Sequence, residues 1–162
     1  MDHLWSPWRY RYVSTEQPKN DCLFCRILSE SEDKDNYVLL RADRNFVLLN
    51  RFPYTSGHLM IVPNQHVATL EEADPAALAE MISLARRMET ALRQVYRPGG
   101  LNIGLNIGKA AGAGIAGHIH MHVLPRWAGD VNFMTTVGET RVLPEELDTT
   151  YTRLLAALNT NS

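Results

Sequence analysis

Gly117-His118-Ile119-His120-Met121-His122-Val123-Leu124-Pro125-Arg126-Trp127 is the stretch whose reading decides the fold. Successive side chains of a β-strand point to opposite faces, so the three imidazoles fall on one face while Ile119, Met121 and Val123 enter the core. The stretch predicts a strand carrying a row of ring nitrogens. At strand rise His118 and His122 stand roughly 13 Å apart, about the reach of a phosphate chain with its leaving group. An imidazole works near neutral pH as nucleophile, proton carrier or metal ligand. One histidine on a strand is ordinarily a satisfied surface or core residue, but three on one face beside Pro-Arg-Trp are not explained that way.

Working back from the row, Gly108 to Gly117 is a run of small residues holding Gly112 and Gly114, and its amides can approach an anion closely. It fits neither the Walker A pattern nor a dinucleotide fingerprint. Leu101-Asn-Ile-Gly-Leu-Asn106-Ile107 alternates strictly, Asn and Gly on one face and apolar residues on the other. Before it, Asp74-Pro75 caps a long helix with apolar residues at helical spacing from Leu78 to Val95, closed by Pro98-Gly99-Gly100. Tyr37 to Arg41 and Phe46 to Asn50 predict a hairpin, and His58 to Pro63 a third, mostly buried strand flanked by His58 and His66. Beyond Trp127, Val131 to Val137 predicts an edge strand or extended arm. Pro144-Glu145-Glu146 opens a terminal helix with Leu147, Tyr151, Leu154, Leu155 and Leu158 in one stripe.

The 162 residues fit one domain, 1–162, with 1–21 as an N-terminal arm and connector. In the arm, aromatics interleave with Arg9 and Arg11; a latch onto the chain's own domain or a partner subunit fits better than base stacking. With 16 basic and 18 acidic residues and a net charge of -2, no general field recruits nucleic acid or an anionic membrane. No apolar run spans a bilayer and the start has no secretory apolar core, so a cytoplasmic home is expected. Cys22 and Cys25 have the spacing with which thiolates grip zinc from a tight turn, and His66 and His118 are the expected remaining ligands; an ordinary or redox-active thiol pair is the alternative.

Two mechanisms suit the row. In one, His120 attacks phosphorus while Asn106, loop amides and neighbouring imidazoles stabilise the developing charge. In the other, His118, His120 and His122 hold a catalytic zinc, which strand spacing disfavours because the outer pair is too far apart.

The run Gly-His118-Ile-His120-Met-His122-Val-Leu resembles the signature of the histidine triad (HIT) superfamily of nucleotide hydrolases and transferases. Leu-Trp-Ser-Pro-Trp-Arg near the start, Cys-Leu-Phe-Cys, Gly-His-Leu-Met-Ile-Val-Pro and His-Val-Leu-Pro-Arg-Trp-Ala-Gly-Asp-Val-Asn-Phe resemble its bacterial diadenosine tetraphosphate phosphorylase branch, also called ATP adenylyltransferase. The resemblance implies an α+β HIT-like fold, a mainly antiparallel sheet of about five strands with one long and one C-terminal helix. It also implies a homodimer whose sheets join across the two-fold axis. By position, His120 becomes the nucleophile that carries a nucleotidyl group, and His122 and His58 bind phosphate oxygens. The main-chain carbonyl near His118 holds the other nitrogen of His120. Asn50 matches a residue at the ribose or base, and Asn106 one at phosphate; Gly112, Gly114 and Trp127 complete the expected substrate surroundings. Zinc in related branches implies Cys22, Cys25, His66 and His118 as a structural site.

The implied reaction is transfer of AMP from diadenosine tetraphosphate to orthophosphate, giving ADP and ATP. Hydrolysis of dinucleoside polyphosphates or nucleoside phosphoramidates through the same intermediate is the alternative, and a nucleotide-binding module without turnover is a third reading. Where many members carry Gln or Ser before the triad to contact the phosphate near the leaving group, this chain has Ala113 and Gly114.

Overall fold

The structure, a computed structural model, describes residues 22–131 and 143–160. In chain order its elements are α1 (Leu23–Ser29), β1 (Val38–Arg41), β2 (Asn45–Leu49), β3 (Leu59–Pro63), α2 (Pro75–Tyr96), β4 (Gly100–Leu105), β5 (Met121–Arg126) and α3 (Leu147–Thr160). The strands form one antiparallel sheet in the order β1-β2-β3-β5-β4. The expected α+β architecture is therefore present. The arm of residues 1–21 and nearly all of the strand expected from Val131 to Val137 lie outside the described residues.

Strand alternation sorts side chains onto two covered faces. Val47, Leu49, Leu59, Ile61, Met121 and Val123 pack on Met81, Met88 and Leu92 of α2 and on Leu154 and Leu158 of α3. On the other face Phe46, Leu48, Met60 and Val62 lie beneath Phe24 and Ile27 of α1. Each such side chain contributes about 1.5–3 kcal/mol on burial, so both layers hold the sheet. The long helix starts where its cap predicts: the Asp74 side chain accepts from the Ala76 amide at 2.9 Å, with Pro75 in the first turn. It stops at Arg97, which turns left-handed at φ 48°.

Two local differences from the sequence reading matter to the site. The cysteines do not sit on a bare turn: Cys22 precedes and Cys25 lies within the helix α1, whose Phe24 and Ile27, one turn apart, are the buried pair. The histidine row is also not one continuous strand. β5 begins at Met121, and His118 and His120 precede it outside the ladder, His118 in a bend whose amide donates to the Ile115 carbonyl at 3.4 Å. Pro63, which ends β3, has no N–H to continue the ladder. The Ile119 amide instead donates to the Val67 carbonyl at 2.8 Å.

Candidate active site

The break in the ladder sends His118 and His120 in different chemical directions. The His118 ring is fully buried, and its Nε2 lies 2.8 Å from the Pro63 carbonyl oxygen. A carbonyl only accepts, so Nε2 carries the proton and Nδ1 keeps its lone pair. In His120 the assignment is reversed: Nδ1 donates to the His118 carbonyl at 2.9 Å, leaving Nε2 with the lone pair. The carbonyl contact that the resemblance implies for His120 is thus present. Phe24 packs against both rings, 5.4 Å from His118 and 5.1 Å from His120 between centroids.

His58 and His122 form a second, directed chain. The Tyr54 amide donates to His58 Nδ1 at 3.1 Å, so the proton of neutral His58 is on Nε2. That nitrogen lies 2.9 Å from His122 Nδ1, to which it donates. His122 consequently presents an N–H at Nε2. The His122 and His120 rings meet edge to face, with centroids 4.9 Å apart. Tyr54 also lies against the His58 ring at 4.9 Å, and the Asn50 amide nitrogen is 3.4 Å from both nitrogens of that ring, over its face.

The loop delivering His58 is tightly built. Gly57 has φ +79°, and a Cβ there would meet Leu92 and Tyr96 at 3.0 Å and Pro125 at 3.2 Å, so only glycine fits.

Burial keeps these rings neutral. It pushes His58 down to about 3, helped by His122 and His120, and His122 down to about 4, helped by His120. Burial also lowers His120, against the opposing hydrogen bond to the His118 carbonyl, and takes His118 to about 4 against its bond to Pro63.

Behind the row, Cys22, Cys25, His66 and His118 form a cluster whose ligand atoms all lie within 4.8 Å of one another. His118 Nδ1 is 3.3 Å from Cys22 Sγ and 3.7 Å from Cys25 Sγ, and His66 Nδ1 is 3.2 Å from Cys25 Sγ. The lone pair that Pro63 leaves on His118 points at the thiols, as a metal ligand requires. Two sulfurs and two imidazole nitrogens make a set that can hold a metal ion. Among the described residues this is the only group of three or more His, Cys, Asp or Glu placed to do so. The triad rings do not converge on one ion, since His118 faces the thiols and the His122 Nδ1 is occupied by His58.

The other expected residues divide. Asn50 is at the site, its Oδ1 accepting from the Phe52 amide at 2.9 Å. Asn106 follows β4 on the face that β4 shares with His122. The small-residue loop is less open than its composition predicts, because Lys109–Ala111 forms a 3₁₀ turn and the Gly112 amide donates to the Lys109 carbonyl at 3.0 Å. The Gly114 amide has no partner among the described residues, and it is the one of the two glycines able to meet an anion through its N–H. Trp127 lies past the end of β5 against Tyr96, with ring centroids 6.2 Å apart and its Nε1 donating to the Tyr96 carbonyl at 3.4 Å. Sequence reasoning missed Tyr54 and Phe24. Phe24, apolar between two cysteines and one turn before Ile27, carried a readable signal; the Tyr54 amide carried none.

Residues 31–129 match the family model described as HIT domain. An AP-4-A phosphorylase from Mycobacterium tuberculosis is 37% identical over 164 residues, covering 96% of this chain and 83% of that protein. An adenylylsulfatase, HINT3, from Arabidopsis thaliana is 32% identical, over 70% of this chain and 56% of its own length. Among solved structures, a Zn-bound histidine triad family protein from Mycobacterium smegmatis superposes with a TM-score of 0.71 at 31% identity, covering 87% of this chain and 95% of that one. The chain belongs to the HIT family.

Proposed function

We propose that this HIT protein is a nucleotidyltransferase that cleaves diadenosine tetraphosphate through a covalent adenylyl-histidine and passes AMP to orthophosphate. One observation carries the reading: His120 has its Nδ1–H tied to the His118 carbonyl and its Nε2 lone pair without a partner among the described residues. A neutral imidazole in that tautomer needs no base to become a nucleophile.

In the first half-reaction His120 Nε2 attacks the α-phosphorus. An N–P bond forms, the bond from that phosphorus to the bridging oxygen breaks, and ATP departs. His122 donates from Nε2 to a non-bridging oxygen as charge builds there, with its direction set by His58 and the Tyr54 amide. The Gly114 amide supplies a second donor in place of the Gln or Ser side chain of many members. In the second half-reaction an orthophosphate oxygen attacks the same phosphorus, the N–P bond breaks and ADP leaves. Asn50, beside His58, holds the ribose of the adenosine that stays on the enzyme.

Zinc fits the Cys22, Cys25, His66 and His118 set, and a full shell of four protein ligands supplies structural cross-linking. These residues tie α1, and with it Phe24, to the back of His118 and His120. Among the described residues the outer edge of β4 pairs with no strand, and it is where a second copy would extend the sheet. No helix of the described residues is long and apolar enough to cross a membrane, in keeping with the cytoplasmic placement proposed here.

The test is product analysis with diadenosine tetraphosphate, with and without added orthophosphate. ADP plus ATP only when phosphate is present is the expected result. AMP plus ATP regardless of phosphate would make water the acceptor and the protein a hydrolase.

A further inference from the structure

The sheet face that carries His122 is only half covered. Met60 and Val62 of β3, on the same face, lie under α1, and Phe24 of α1 reaches as far as His120. Among the described residues the cover ends beyond His122. In the β4–β5 register Gly104 lies opposite His122, Asn102 opposite Leu124 and Gly100 opposite Arg126, and directly opposed residues share a face. A Cβ on Gly104 or Gly100 would have nothing within 4 Å. Asn102 and Gly104 are exposed and Leu124 is half-buried, so the surface is a shallow shelf with an apolar floor.

The far end of the shelf is closed by a fixed guanidinium. Arg126 donates from Nε and Nη2 to Asp130 at 2.5 and 2.9 Å, and from Nη1 across to Asn102 Oδ1 at 2.8 Å. Its charge is matched by Asp130 and its edge is engaged, which makes it a poor clamp for phosphate. The side chain is nonetheless 44% exposed. What it offers is its flat face, and a guanidinium face stacks well on an aromatic ring. At strand rise Arg126 stands roughly 13 Å from His122, the reach of a polyphosphate chain from the scissile phosphorus to a base.

Resting on the dinucleotide reading above, we infer that the β4–β5 shelf binds the departing nucleoside, with Gly104 keeping the floor low beside His122 and Arg126 stacking on its base. The retained nucleoside lies toward Asn50, at the end of β2, and the departing one lies on the opposite side of β5. The shelf therefore selects substrates with a nucleoside at both ends of the phosphate chain over those with a small leaving group.

The experiment compares diadenosine tetraphosphate with adenosine 5′-phosphoramidate for the unaltered protein, Gly104→Val and Arg126→Met, with mass in solution measured for each. Valine suits a strand and its Cβ has nothing within 4 Å there, and methionine keeps most of the arginine stem. The expected result is that KM for the dinucleotide rises about tenfold in each variant, while kcat/KM for the phosphoramidate stays within about twofold. Equal loss on both substrates, or an unchanged dinucleotide KM, overturns the shelf. So does a change in mass accompanied by equal loss, which would assign this face to contact between copies. Failure of the unaltered protein to cleave the dinucleotide removes the dinucleotide reading itself; cleavage with unselective variants removes only the shelf.

Discussion

His118 and His120 are the same residue type, two positions apart, both buried, and both hydrogen-bonded to a backbone carbonyl. They nonetheless offer opposite nitrogens. The Pro63 carbonyl accepts from Nε2 of His118 and leaves its Nδ1 facing two thiols; the His118 carbonyl accepts from Nδ1 of His120 and leaves the lone pair on its Nε2. The difference teaches that a histidine's role here is assigned by which nitrogen the main chain claims. It also makes His118 a joint, its ring serving one site and its carbonyl the other.

The sharpest way to break the contrast is to delete each ring in turn. His120→Ala is expected to fold normally and to lose at least about 10⁴-fold in kcat; near-native turnover in a protein with an unchanged circular dichroism spectrum would end the nucleophile assignment. His118→Ala keeps the carbonyl that orients His120 but removes a ligand of the cluster and a buried ring. Its expected signature is a loss of about 2–5 kcal/mol in stability together with bound metal, with turnover persisting at low temperature. Calorimetry and metal analysis check it, and a chelator acting on the unaltered protein should move stability the same way.

Next in size is His122→Ala, which removes the donor proposed for the phosphate and should cost about 10²–10³-fold in kcat with little change in stability. A comparable loss from His58→Ala would mean that orientation of His122 matters as much as its presence.

The smallest effect is in pH. His58 and His122 have pKa values lowered from 6.5 to about 3 and about 4 by burial, so below 6.5 the unfolded chain binds protons that the folded chain does not. Stability is complete above 6.5 and falls as pH drops toward 4, by up to about 1.4 kcal/mol per pH unit for each ring. Denaturant titrations at pH 7, 6 and 5 measure the slope, and a flat profile would mean that these rings are charged in the fold.

Much of this was legible in the residues. Strict alternation gave the faces of β4 and β5, Asp74-Pro75 marked the start of α2, and the cysteine spacing with His66 and His118 named the cluster. The rest was hidden for physical reasons. α1 is seven residues long, too short for periodicity to declare it, although Phe24 and Ile27 are its buried face. The row's departure from β5 depends on Pro63 ending a different strand and on Val67 capturing the Ile119 amide. Tautomers depend on carbonyls brought in by the fold. Loop composition likewise says which amides exist, and only the 3₁₀ turn at Lys109–Ala111 decides which remain free.

The chain from Tyr54 through His58 to His122 begins at a peptide N–H, which holds its proton at any pH the protein meets. Its polarity is written once, at folding, and cannot reverse during turnover. It is an aiming device and not a wire: in the reaction proposed above, protons need not travel along it for an imidazole to displace a polyphosphate. Turnover limited by that displacement should therefore run at nearly the same rate in heavy water as in light.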